Sequence, residues 1–145
     1  MEFPITELLD YNKSVEWVMC HFHPDGFKCP SCRDTVEHAR DFRRTQCSQL
    51  VVYRCLRCGT AYNLYTGTVF QQSHLTPMQA VLLMRGICKG ETTAKLSAEL
   101  RVGYKTLLTL RHEIQANAEK AQPETPLADE HSETDEMFQN AGEKR

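Results

Sequence analysis

Cys29-Pro30-Ser31-Cys32 and Cys55-Leu56-Arg57-Cys58-Gly59 decide the fold of this chain: two C-x2-C pairs with 22 residues between them. Each pair places two thiolates on one side of a tight loop with backbone N–H groups aimed at sulfur. Two such loops facing each other complete a tetrahedral four-sulfur shell at about 2.3 Å. Soft thiolates in that geometry select zinc or iron, and zinc is the expectation for a structural site. Cys29, Cys32, Cys55 and Cys58 fill all four positions, so no place remains for a reactive water and catalysis by the ion is not expected. Redox cysteines of the thioredoxin kind would want a single pair beside a βαβ unit, and none is present. Residues 28–60 are therefore predicted to fold around one structural zinc ion. Their apolar content is small, so without metal they should unfold.

Outward from the cysteines, short strands are predicted over 37–42, 50–54 and 61–65, followed by a turn at Thr66-Gly67-Thr68. Upstream, Leu8, Leu9, Val15, Val18 and Met19 recur at helical spacing, with Thr6 and Ser14 as caps, predicting one or two short helices between Ile5 and Cys20. His21 to Gly26 breaks that pattern, because Pro24 cannot continue a helix and Asp25-Gly26 suits a turn. Cys20, His21 and His23 are a conceivable second ligand set. Cys20 falls on the apolar stripe, however, and no partner pair is obvious, so these residues are read as ordinary ones, as are Cys47 and Cys88. Downstream, Thr76-Pro77 opens a helix that Gly90 stops, a second runs over 93–100, and a third over 104–121 with Leu107, Leu108, Leu110 and Ile114 as its apolar stripe.

The fold class predicted is small α+β: N-terminal helices (1–27), a β zinc ribbon (28–72), a helix-turn-helix within a three-helix unit (73–121), and an acidic, largely disordered tail (122–145). A chain of 145 residues has room for one ordinary domain or two very small ones, and small modules usually need a staple. The N-terminus lacks a basic region followed by an apolar stretch, and no apolar run approaches the roughly 18 residues of a membrane span. A cytoplasmic protein with reduced thiols and no membrane partner is expected.

The formal net charge of −2 hides a split. Between Lys28 and Arg111, thirteen Lys/Arg face five Asp/Glu, a surplus of eight positive charges; from Glu124 onward, seven acids face two bases. A basic body suggests a polyanion-binding module, although solvated surface charge explains it equally well before any motif is considered. In a helix-turn-helix the last helix enters the major groove with its N-terminal residues at base edges. Tyr104, Lys105, Thr109, Arg111 and His112 are then the candidate contacts, with Lys95 and Arg101 flanking the backbone. A plain helical hairpin is the alternative.

Trp17, Asp25-Gly26-Phe27-Lys28-Cys29-Pro30-Ser31-Cys32, Tyr53-Arg54-Cys55-Leu56-Arg57-Cys58, Thr66-Gly67-Thr68-Val69-Phe70 and Tyr104-Lys105-Thr106 occur in that order. Together they resemble the zinc-ribbon insertion-sequence transposases, in which a zinc ribbon and helix-turn-helix precede a DDE-type nuclease core of RNase H-like fold. The resemblance runs from about Trp17 to Lys144. It implies that the segment from Glu133 is the opening strand of that core, with Asp135 as the first catalytic carboxylate. The remaining carboxylates have no counterpart in this sequence. Two-metal phosphoryl transfer needs several carboxylates fixing two ions about 4 Å apart. Mg2+ is therefore expected only in a complete family member, and no strand cleavage or joining is expected here.

The resemblance implies the DNA-binding front of a transposase, as a truncated or decayed product or one part of a frameshifted element. Its partner would be double-stranded DNA at the element's terminal repeats, with self-association a further option. The other readings are a zinc-ribbon transcription regulator, a protein-interaction module and a nonfunctional remnant. One local question stays open: where many such units place Gly, this chain has Arg101, so either Arg101 adopts a left-handed conformation at a cost of about 1 kcal/mol or Gly103 absorbs the turn.

Overall fold

Two short helices open the chain, α1 (Ile5–Leu8) and α2 (Tyr11–Phe22), in a computed structural model that describes residues 1–122. The expectations for the acidic tail, Asp135 among them, lie outside the described residues. The α2 helix is capped by the Asp10 carboxylate, which accepts from the Lys13 N–H at 3.0 Å. It runs two residues past the predicted break, and ends where Pro24 forces His23 out of helical geometry, at φ −128° and ψ 61°.

A single 3-10 turn (Val36–His38) leads into an antiparallel three-stranded sheet of order β1 (Ala39–Arg44), β2 (Val51–Cys55), β3 (Ala61–Tyr62). The β1–β2 register pairs Ala39 with Cys55, Arg40 with Arg54 and Asp41 with Tyr53. It then shifts across Phe42, so that Arg43 faces Val52 and Arg44 faces Val51. The third strand is shorter than the predicted 61–65. Asn63 leaves the ladder to build a side-chain turn, its Oδ1 accepting from the Tyr65 N–H at 3.0 Å while its own N–H donates to Thr66 Oγ1.

Three helices complete the fold: α3 (Pro77–Cys88), α4 (Thr93–Leu100) and α5 (Tyr104–Ala121). Thr76 and Gln79 form a capping box at the start of α3, with Pro77 in its first turn. Gln79 also donates to the Leu100 carbonyl at 3.0 Å, tying the start of α3 to the end of α4. Gly86 lets α3 and α4 approach closely, since a Cβ there would collide with Leu96 Cδ2. Arg101 takes the left-handed conformation at φ 53° while Gly103 stays at φ −56°, which resolves the question the sequence left open. The turn is closed by the Val102 N–H donating to the Ser97 carbonyl and by the Ser97 hydroxyl donating to the Val102 carbonyl at 2.6 Å.

One main core holds Trp17 and Val18 from α2, Leu50, Leu64, Tyr65 and Phe70 from the segment around the sheet, and the inward stripes of α3, α4 and α5. It thus crosses the boundaries drawn after residues 27 and 72. Phe70 and Leu107 are completely buried, each contributing about 1.5–3 kcal/mol. A second, small cluster of Phe27, Cys29, Cys55 and Tyr62 sits at the far end of the sheet. Among the described residues no helix is long and apolar enough to cross a membrane.

Candidate metal centre

The cysteine pairs sit on two loops built alike. In the first, the Cys29 N–H donates to the Asp34 carbonyl at 2.9 Å and the Arg33 N–H to the Cys29 carbonyl at 3.0 Å. In the second, the Cys55 N–H donates to the Thr60 carbonyl at 3.0 Å and the Gly59 N–H to the Cys55 carbonyl at 2.9 Å. The fifth residue of each loop is left-handed: Arg33 at φ 58° and Gly59 at φ 76°. Glycine accepts that conformation freely, whereas Arg33 bears a steric cost. Backbone N–H groups of Asp34 and Thr60 reach Cys32 and Cys58 respectively, two residues beyond each sulfur.

The loops bring the four Sγ atoms within 4.8 Å of one another. Cys29 Sγ lies 3.4 Å from Cys58 Sγ, and Cys32 Sγ 3.5 Å from Cys55 Sγ. A tetrahedral ion at about 2.3 Å from each sulfur sets them about 3.8 Å apart, so the cluster fits one ion with little adjustment. Cys29 and Cys55 are buried against Phe27 and Tyr62, and Cys58 faces solvent. The arrangement is compatible with one structural zinc.

Electrostatics in the thiol cluster are uneven. Thr60 Oγ1, 3.2 Å from Cys58 Sγ, and the Thr60 N–H favour the Cys58 thiolate and bring its pKa down to about 6. For Cys32 the Asp34 N–H acts in the same direction, but burial and the neighbouring sulfurs outweigh it and push the thiol up to about 12. Four thiols this close cannot all ionise without a cation among them. Burial, reinforced by the nearby Cys29 and Cys55 sulfurs, also raises Tyr62 to about 12. Beside the site, the Asp34 carboxylate meets His38 Nδ1 at 2.8 Å, a contact that lowers Asp34 and raises His38.

No protein-family model, curated protein or solved structure matches the chain.

No second cluster of three or more metal-ligating side chains forms among the described residues. His21 stacks on Trp17, with Nδ1 2.9 Å from the Trp17 carbonyl, and His23 Nε2 lies 2.7 Å from the Leu64 carbonyl. Cys20 is exposed rather than on the buried stripe, which Ser14, Trp17 and Val18 occupy instead.

Of the candidate DNA contacts, Lys105, Thr109 and His112 are exposed at positions i, i+4 and i+7 and so share one face of α5. Arg101 and Tyr104 are exposed at its start. Lys95 pairs with Glu91 at 2.7 Å. Arg111 is half-buried and donates to the Glu91 carbonyl at 2.6 Å and to Thr93 Oγ1 at 3.3 Å, so its guanidinium braces the entry to α4. Sequence reasoning missed Thr60 and Ser31, whose hydroxyls lie 2.9 Å apart beside Cys58. It also passed over the equivalence of Arg33 and Gly59. Aligning the two cysteine loops residue by residue exposes that equivalence.

Proposed function

We propose that this chain is a zinc-ribbon and helix-turn-helix DNA-binding module of the kind found at the front of insertion-sequence transposases, directed to the terminal repeats of an element. Zinc at Cys29, Cys32, Cys55 and Cys58 acts as a structural staple, and α4 and α5 form the helix-turn-helix. The observation that carries the reading is α5 itself: Leu107 and Leu110 are buried while Lys105, Thr109 and His112 stand exposed along its N-terminal half. The three-residue turn at Arg101-Val102-Gly103 supports it, since that turn sets the first residues of α5 outside the core. Binding is electrostatic first, with Lys105 on phosphate or guanine, and specific second.

The test is a titration of zinc-loaded protein against a mixed-sequence duplex and a duplex carrying the terminal repeats, from low to moderate salt. Salt-dependent affinity, tighter on the repeats and reduced by Lys105→Gln, is the expected result. Absence of salt-dependent affinity for both duplexes refutes the reading and leaves a protein-interaction module in its place.

A further inference from the structure

Two open cavities flank the loop that follows Phe70. One, of about 490 Å³, is lined by Arg43 and Arg44 of the β1–β2 hairpin together with Gln72 and Ser73. The other, of about 380 Å³, is lined by Gln72 and Ser73 together with Lys105 and Thr109 of α5. Gln72 and Ser73 line both, so the two cavities lie on either side of this loop, one toward the hairpin and the other toward the exposed face of α5. Charge along them is lopsided. Glu113 is the one carboxylate in either lining, against Arg43, Arg44 and Lys105.

The hairpin carries its positive charge in an arrangement that folding does not favour. Directly paired residues of an antiparallel sheet share a face, so Arg40, Arg43, Arg54 and Val52 lie on one side of β1–β2 while Asp41 and Tyr53 lie on the other. Arg40 and Arg54 stand directly opposite each other, a like-charge pairing that destabilises a sheet. Among the described residues none of the three arginines forms an ion pair. The Arg54 guanidinium carbon sits 4.1 Å from the centroid of the Phe42 ring, which holds the side chain in place, while its buried Nε has no hydrogen-bond partner.

We infer that these cavities and the arginine face of the hairpin seat the phosphodiester backbone of the same duplex that α5 reads, with Arg40 and Arg43 as phosphate contacts. The inference rests on the DNA-binding reading of α5 and extends it to a second surface. A polyanion supplies the charge that Arg40, Arg43 and Arg54 lack within the chain. Arg43 lines one cavity and Lys105 the other, with only the Gln72–Ser73 loop between them. Contacts of this kind position a duplex without reading its sequence.

The experiment is fluorescence anisotropy on the zinc-loaded full chain with a labelled mixed-sequence duplex, between about 50 and 200 mM salt. Each phosphate contact contributes about 0.9 to the slope of log K against log salt, so Arg40→Gln/Arg43→Gln should lower that slope by about 1.8. Lys13→Gln/Lys120→Gln, which removes the same charge away from these cavities, should leave it unchanged. Arg40→Lys/Arg43→Lys should keep most of the wild-type slope, and Arg40→Gln alone should leave the melting temperature unchanged or higher, because it removes the repulsion from Arg54. A wild-type slope in the double Gln variant, with Lys105→Gln still weakening binding, overturns this inference and leaves the α5 reading standing. Loss of binding that Lys does not rescue, accompanied by a lower melting temperature, assigns these arginines to folding and overturns it too. If wild-type protein has no salt-dependent affinity for the duplex, both fall; if it prefers single strands of the same length, the duplex assignment fails.

Discussion

Chelating the metal should dismantle one end of the molecule and spare the other. The small cluster beside the cysteines has Phe27 and Tyr62 as its only large buried side chains. At about 1.5–3 kcal/mol each, they contribute about 3–6 kcal/mol together. A structural zinc contributes about 10–16 kcal/mol at pH 7, so the ion outweighs the apolar packing at this end. The main core differs: fifteen buried residues, among them Phe70, Leu83 and Leu107, pack without touching the metal loops. Trp17, the sole tryptophan, is 7% exposed in that main core and reports on it alone. The rings of Phe27, Tyr53 and Tyr62, with centroids 5.2 to 6.1 Å apart, report on the other end. Removal of zinc should therefore remove the Tyr53 and Tyr62 share of the near-UV circular dichroism, leaving that of Tyr65 in the main core, and abolish hydrogen-exchange protection in β1 and β2 near the Ala39–Cys55 pair. Trp17 emission and most of the helical far-UV signal should persist. A red shift of Trp17 at the same chelator concentration that removes exchange protection in β1 and β2 would show one cooperative unit and refute the division into two ends. Retention of hydrogen-exchange protection at the Ala39–Cys55 pair in fully metal-free protein would refute the role of the metal itself.

Two further substitutions probe the helical half. Arg101→Gly removes a left-handed side chain at φ 53° and should raise stability by up to about 0.5 kcal/mol after the larger entropy of glycine in the unfolded chain is allowed for. Thermal melting checks this, and a lower midpoint would mean that the Arg101 side chain itself stabilises the turn. Gly86→Ala gains about 1 kcal/mol of helix propensity, but its Cβ meets Leu96 Cδ1 at 3.0 Å and Cγ at 3.2 Å besides colliding with Cδ2. Overpacking of about 1–3 kcal/mol should win. Denaturant unfolding should give a net loss of up to about 2 kcal/mol, and combination with Leu96→Ala should be less damaging than the sum of the two changes.

The local signals in this sequence were strong where one residue type had to satisfy one backbone requirement. Thr76-Pro77 and Gly90 bracket α3, whose observed span is Pro77–Cys88, and the helices expected over 93–100 and 104–121 occupy those residues. What stayed hidden depended on atoms distant in sequence. Leu50, Leu64, Tyr65 and Phe70 look like strand and turn residues of a separate ribbon, and nothing local says that they share one core with the helices. Arg111 looks like a free cation on a helix, yet its partner is a main-chain carbonyl 20 residues away, a group that no charge pattern records. The cysteine site was legible for the opposite reason. Its four ligands come from two five-residue loops that each close on their own backbone, and the sheet only has to bring Cys55 opposite Ala39. The second loop even announces its left-handed residue as Gly59, whereas the first hides the same conformation under Arg33. A basic side chain kept at a strained position on the metal loop, like the Arg40–Arg54 pair on the adjoining strands, is a cost to folding that no ion pair among the described residues offsets.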